Sequence, residues 1–494
     1  MGEDWCLEKL ENLRIKENRV ETLNEIRSHL NIAQSLENIV TEKLLKSSEI
    51  YDCLEEQDNS NNASVQSDLA IDILSICMSH LTINQTDLPN LLERSLQHNN
   101  PKVRALALNT ILKELAKHSN ATVAEDLIQV IINCIAEHET SVGAPSVEIL
   151  SILLADKINK RQFKEALLSK LNQSDDIVRC RIYEVAINLS KISPAHLSEV
   201  EEILHSAVET LENNDILLQV NVLEILASLA GQNHGLVFLE QKRVFEKISK
   251  RVDEIEQNPL DRLLVPGIMK FFGKIAYNQP QKIITGYPNM ILCLFDCIHS
   301  ADPMILPTAF DTLGNLAHSQ QGKLLLEANY SSYLRQTFED FFSYLRNLPT
   351  ELKNRAFNAL EIVFSCEGEA SQDVSKVLQK WYQILAGGEN LQFLMDFCRN
   401  PFPDIKVACL NFIRALCRYR WGIVALKYTA GFVEYLLDRK VEFDKDAKYA
   451  KFEIIEILSE SNVFDVQTQL QLKKYVNEGP YFVQPIVEIA VEGS

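Results

Sequence analysis

The sequence predicts an all-α chain built as a stack of repeated helical pairs, and three observations predict it. Apolar residues fall at three- and four-residue intervals, as in Phe310, Leu313, Leu316 and Ala317, which places them on one helical face. The unit carrying this face recurs: with Leu316 as anchor, equivalents stand at Leu115, Leu154, Leu189, Leu229, Ile275, Leu416 and Leu458, with Ile76 as a weaker first member. Six residues past Leu229, Leu316 and Leu416 stand Gly235, Gly322 and Gly422, and ten past them stand Leu239, Leu326 and Leu426. In a chain with only 16 glycines, three coincidences at both offsets mark a repeat.

The anchor spacings from Ile76 to Leu316, by subtraction, are 39, 39, 35, 40, 46 and 41 residues. That is the period of armadillo and HEAT repeats. Leu316 and Leu416 are 100 residues apart, room for two units, and Glu351 to Val363 supplies the intermediate one. The expected architecture is therefore an armadillo/HEAT-like right-handed superhelical solenoid of about nine to ten repeats. It replaces the roughly three globular domains that length alone suggests. The expected boundaries are an N-terminal helical cap and loop over 1–63, the repeats over 64–476, and an extended tail over 477–494 packed on the last repeat.

In chain order, residues Asp4 to Leu54 keep helical apolar spacing through Leu7, Leu10, Leu13, Leu30, Ala33, Leu36 and Ile39, as a capping helical pair would. Glu55 to Asn62 has nothing apolar to bury and reads as an exposed loop. Helix starts are marked by Asn100-Pro101, Asp175-Asp176, Asn214-Asp215, Asp302-Pro303 and Asp404, because Asp and Asn accept the free N–H groups of a first turn and Pro needs no donor there. Cys366 to Gln372 and Gly387-Gly388 read as interruptions between repeats. Pro480 and Pro485 forbid a regular helix after Asn477.

Composition excludes several classes of function. The formal charge of −19 argues against nucleic acid, whose affinity rests on clustered Lys and Arg. No apolar run reaches the roughly 18 residues of a membrane span, so no membrane partner is expected. The 11 cysteines are scattered, with no CxxC, so buried reduced thiols in the cytosol or nucleus are expected. Cys293 and Cys297 could share a helix face but lack further zinc ligands nearby.

Catalytic motifs are absent from the sequence: no HExxH, GxSxG or GxGxxG occurs. Gly267 to Lys274 imitates a phosphate loop but has five residues between its glycines, and Ile275 stands where a magnesium-binding Ser or Thr belongs. A helix kinked at Pro266-Gly267 accounts for it better. No His has a visible orienting partner, so neither an enzyme nor a cofactor is expected. What a solenoid offers instead is a concave wall. Asn188, Lys274 and Asn315 precede their anchors, and the residues one turn earlier in the repeats are Thr110, Ile149, Glu184, Glu224, Lys270, Asp311, Asn411 and Glu453. Four of these eight are acidic, which suggests a groove for a basic or polar surface of a folded partner. Solvated helix-surface charge is the plain alternative.

Five stretches carry a resemblance. Val265 to Ala276 (VPGIMKFFGKIA), Ala430 to Arg439 (AGFVEYLLDR), Asp446 to Tyr449 (DAKY) and the tail Glu478 to Val483 (EGPYFV) with Val491 to Gly493 (VEG) resemble the family of the 26S proteasome non-ATPase regulatory subunit 5. The likeness implies a chaperone for assembly of the regulatory-particle base. Such a chaperone holds the C-terminal domain of a proteasomal ATPase subunit alongside other base subunits, is released before the mature proteasome forms, and is a monomer in the cytoplasm or nucleus. The competing class is a general armadillo adaptor of the import-receptor kind, which binds an extended peptide. Import receptors resemble this chain in the LxNLA pattern but carry a recurrent Trp where Glu184 and Asp311 stand, and this chain has only 3 Trp.

Overall fold

Helix follows helix because the three-and-four apolar spacing persists while Asp, Ser and Pro mark the starts. The computed structural model describes residues 3–32, 38–55, 61–80, 88–117, 123–173, 175–213, 215–255, 259–387 and 391–483. Every regular element among them is an α-helix or a short 3-10 helix. They form two compact units, one of Met1–Ile225 with Gln232–Phe238, the other of Leu226–Gly231 with Leu239–Ser494.

In the first unit Asn61–Ser79 (α1), Pro101–Lys117 (α2), Thr140–Leu153 (α3) and Asp176–Ser190 (α4) lie side by side as one layer. Leu88–Leu96, Glu125–Cys134 and Arg161–Gln173 form the second layer packed on it. Arg19–Ile32, Asn38–Lys46 and Ser48–Glu55 pack on α1, with Glu3–Asn12 against all three. The second unit repeats the scheme. Val265–Asn278 (α5), Leu306–Leu316 (α6), Thr350–Phe364 (α7), Pro403–Leu416 (α8) and Lys445–Glu460 (α9) make one layer. Pro280–Gly286, Gln320–Asn347 and Gln372–Leu385 make the other, and Val466–Glu478 closes against α9. Two layers of paired helices in chain order are the armadillo/HEAT architecture.

The core runs between the layers. Leu115, Leu154, Leu189, Leu229, Ile275, Leu316, Leu416 and Leu458 are all buried, most of them at or near the C-terminal end of a first-layer helix, whereas Ile76 is only half-buried. Leu239, Leu326 and Leu426 are fully buried as well. The recurrent glycine has a steric cause: a Cβ built on Gly322 would run into the carbonyl oxygen of Leu316, and one on Gly422 into that of Leu416. In these two hairpins the second helix therefore starts directly against the carbonyl of the anchor. Beside Gly322, the fully buried Lys323 caps the end of α6, donating to the carbonyl oxygens of Ala317 and of His318, the latter at 3.0 Å.

Several expected boundaries move. Asp175 and Asp215 cap their helices as expected, accepting from Val178 and Leu218 at 3.0 Å each. Asn100 likewise accepts from Lys102 at 2.9 Å. Asp302 does not start α6: its carboxylate accepts from Met304 at 2.9 Å in a turn, and the helix begins four residues later with Pro307 in its first turn. Asp404 lies inside the first turn of α8, whose cap position is Phe402. Pro266 opens α5 instead of kinking it, because a first-turn proline removes no helical hydrogen bond. Of the loop expected over Glu55 to Asn62, Glu55 ends one helix and Asn61 and Asn62 begin α1, while 56–60 lie outside the described residues. Asn477 and Glu478 are helical. Gly479, at φ +82°, stops the helix, and the tail from 484 onward lies outside the described residues. Arg439 secures this helix end: it donates to the Gly479 carbonyl at 2.8 Å and to Glu478 at 3.0 Å, and its guanidinium lies 3.6 Å from the Tyr475 ring centroid and 5.3 Å from that of Phe482.

Candidate partner-binding surface

Residues one and two turns apart on a first-layer helix share a face with their counterparts on the next helix, so the positions singled out from sequence either line up or cap their neighbours. In the first unit Glu184 is exposed on α4. Asn188, one turn on, is half-buried: it donates to Ser151 of α3 at 3.3 Å and accepts from Lys191 at 3.3 Å. Glu224 is exposed on the Ile216–Ala227 helix. Thr110 and Ile149, at the matching register, are buried and face no groove.

In the second unit the register assembles a continuous row. Lys270 and Lys274 are exposed on α5. Asn315 of α6 packs over α5 so closely that a Cβ on Gly273 would sit 3.3 Å from its amide nitrogen. Both asparagines before an anchor thus reach back to the preceding first-layer helix, which gives them a packing role. Asp311 of α6 pairs with Arg355 of α7, whose Nε donates to it at 3.1 Å. Burial raises the Asp311 carboxyl above its ordinary value, with Arg355 and Lys270 pulling the other way without winning. Arg414 of α8 bridges two carboxylates, Glu361 of α7 at 3.1 Å and Glu453 of α9 at 2.5 Å. Asn411, half-buried on α8, lines an open groove.

In the sequence Asp311 and Glu453 count as free negative charge, and nothing points to Arg355 and Arg414. These lie 44 and 39 residues from their partners and are visible only in the fold. The exposed acidic wall is therefore carried by Glu184 and Glu224, while the second unit presents alternating charge. Half-exposed pairs of this kind each contribute about 0–1 kcal/mol.

Chemistry is not assembled along the row. The stretch resembling a phosphate loop, Gly267 to Lys274, is helical throughout, and Gly267 and Gly273 are buried within it, so no backbone amides are free to cradle an anion. His196 donates from Nε2 to the Ala155 carbonyl at 2.6 Å and hydrogen-bonds Ser193 through Nδ1 at 2.8 Å, in the cap of a short helix. Among the described residues, no group of three or more His, Cys, Asp or Glu could hold a metal ion, and no helix is long and apolar enough to cross a membrane. All 11 cysteines are free; eight are buried and three, Cys180, Cys293 and Cys297, are half-buried.

Similarity to known proteins extends over the whole chain. The profile of the family described as Proteasome non-ATPase 26S subunit matches residues 2–494. A Drosophila melanogaster protein named 26S proteasome non-ATPase regulatory subunit 5 is 39% identical over 502 residues, covering 100% of this chain and 99% of its own length. A Homo sapiens protein of the same name is 30% identical over 419 residues, with 82% of each chain covered. Among solved structures, Kap121p bound to Pho4p superimposes with a TM-score of 0.45 at 12% identity, over 93% of this chain and 49% of that one. A designed armadillo repeat protein in complex with a (KR)4 peptide gives a TM-score of 0.39 at 14% identity, over 52% of this chain and 99% of that one.

Proposed function

This chain belongs to the Proteasome non-ATPase 26S subunit family, and from that membership we propose that it is an assembly chaperone for the base of the proteasome regulatory particle. It holds the C-terminal domain of a proteasomal ATPase subunit, together with associated non-ATPase base subunits, and leaves before the mature proteasome forms. It acts as a monomer in the cytoplasm or nucleus and catalyses no reaction. The observation that carries this reading is the full-length match to relatives named as regulatory subunits. The repeated helical layers support it. Within each unit they offer a broad side-chain surface and, among the described residues, no assembled catalytic group, which suits a protein that covers another's surface and then gives it up. Release follows from steric exclusion: a client surface covered by the chaperone is closed to its neighbours in the ring, and their arrival displaces the cover.

The test is affinity capture of the tagged full chain followed by mass spectrometry. Proteasomal ATPase subunits recovered with little core particle support assembly chaperoning. Recovery of complete proteasomes in stoichiometric amount contradicts release before maturation, and recovery of nuclear-import cargo without proteasome subunits favours an adaptor.

A further inference from the structure

Residues of α7 and α8 and the start of α9 line an open groove of about 460 Å³. Its lining is one-sided in charge and rich in amides: Asp404, Asp444 and Asp446 bring carboxylates, Asn354, Asn358 and Asn411 bring amides, and among the described residues no basic side chain lines it. The Oδ1 of Asn354 is buried without a hydrogen-bond donor. Of these, the repeat register marks out Asn411 alone. The other lining residues come from the starts of α8 and α9 and from the bodies of α7 and α8, positions that the register does not mark.

Next in the chain to the lining residue Asp444 stands Phe443, 90% exposed. Its setting is fixed on both sides. Glu442, 2% exposed, pairs with Lys406 at 2.6 Å and accepts from Tyr435 at 2.7 Å. Asp444 caps α9, accepting from Asp446 at 3.0 Å and Ala447 at 2.9 Å. Lys451, 1% exposed, ties the same loop down by donating to the Asp438 carbonyl at 2.6 Å. A phenyl ring exposed to water on backbone held by two anchored neighbours has only two side-chain torsions to fix when something packs on it, which keeps the ordering cost of an aromatic contact low. Phe402, before the first turn of α8, is half-exposed on the other helix start, and Tyr449 lies one turn past Asp446 on the same face of α9.

We propose that this groove binds an extended peptide segment carrying a lysine or arginine beside an apolar side chain. The carboxylates of Asp404 and Asp446 attract the cation, the asparagine amides donate to and accept from the peptide backbone, and Phe443 packs on the apolar neighbour. Extended backbone is specified because its N–H and C=O groups are unpaired and match amide side chains, whereas a helix has spent its own. The proposal depends on the assembly-chaperone reading only for which protein supplies the segment.

The test uses the full chain and two fluorescein-labelled hexapeptides, one alternating lysine with leucine and one alternating glutamate with leucine, followed by fluorescence anisotropy. The lysine peptide is expected to bind and the glutamate peptide not to bind. Phe443→Ala, at a site too exposed to affect folding, and the pair Asp404→Asn with Asp446→Asn, which leaves the Asp444 cap intact, should each weaken binding at least about fivefold. Glu201→Gln with Glu202→Gln, two exposed carboxylates of the first unit, should leave it unchanged. Equal binding of both peptides, or equal loss in the Glu201/Glu202 variant and the groove variants, overturns the proposal, since either means general attraction to an acidic chain. Capture of ATPase subunits by a wild-type chain that ignores the lysine peptide would sink the groove and leave the chaperone reading standing. Peptide binding without ATPase capture would do the reverse.

Discussion

Gly322 and Gly422 show how much one missing methyl group decides. Each lies where a Cβ would overlap the carbonyl oxygen of the preceding anchor leucine. Gly322→Ala and Gly422→Ala should therefore each lower stability by about 1–3 kcal/mol in urea titration, through displacement of a hairpin start. Gly314→Ala, where a Cβ would sit at ordinary contact distance of 3.6 Å, should cost less. Lys323 carries a second prediction. Burial lowers its pKa from the ordinary 10.5 to about 8. Between those values the unfolded chain holds a proton that the folded chain has released, so unfolding takes up protons and the lysine's contribution to stability rises with pH across that window. Below about 8 both states are protonated and the contribution is flat. The stability difference between wild type and Lys323→Met, measured by urea midpoints from about pH 7.5 to about pH 10, should grow in favour of the wild type. A constant difference would contradict it. The glycines are legible in the sequence as a recurrence, but their reason is not, because the carbonyl they meet belongs to another helix. The sequence does not single out Lys323, since nothing local announces that two carbonyls at a helix end will receive it.

The helices themselves are legible wherever apolar periodicity and a single cap agree, as at Asp175 and Asp215. Where two signals compete, local rules favour the wrong one. Asp302-Pro303 satisfies every rule for a helix start, yet Pro307 satisfies the proline rule too, and packing of Leu306, Ala309 and Phe310 selects the later start. Side-by-side helices also create partnerships that no local pattern encodes. Arg414 shared between Glu361 and Glu453 is the clearest, and it yields a prediction for the α7–α8–α9 layer. Arg414→Met leaves two half-buried carboxylates without their common cation and should cost about 1–2 kcal/mol, above the usual surface pair. The exposed Arg335–Glu339 pair, four residues apart on one helix, is the control; Arg335→Met should cost less than about 0.5 kcal/mol.

At the scale of the whole chain the repeat is readable from a few recurring positions, because each hairpin must bury the same stripe against its neighbours, whereas the surface is not, because exposure and pairing depend on which helix lies alongside. Glu184 and Glu224 are the two acidic positions of the register that the fold leaves exposed. On a chain of net charge −19 they bear on the encounter with a client. Glu184→Lys with Glu224→Lys should cut capture of ATPase subunits severalfold at low salt, with the difference shrinking as ionic strength rises. Capture insensitive to both changes would move the contact elsewhere. The glycine-to-carbonyl approaches also have a mechanical consequence. At Gly322 and Gly422 the bend from one helix into the next is already closed to its steric limit, so the turn itself has no room to tighten further. Any give in these hairpins then belongs elsewhere, to the seams where side chains repack and to breaks such as the non-helical Tyr330 inside Gln320–Asn347.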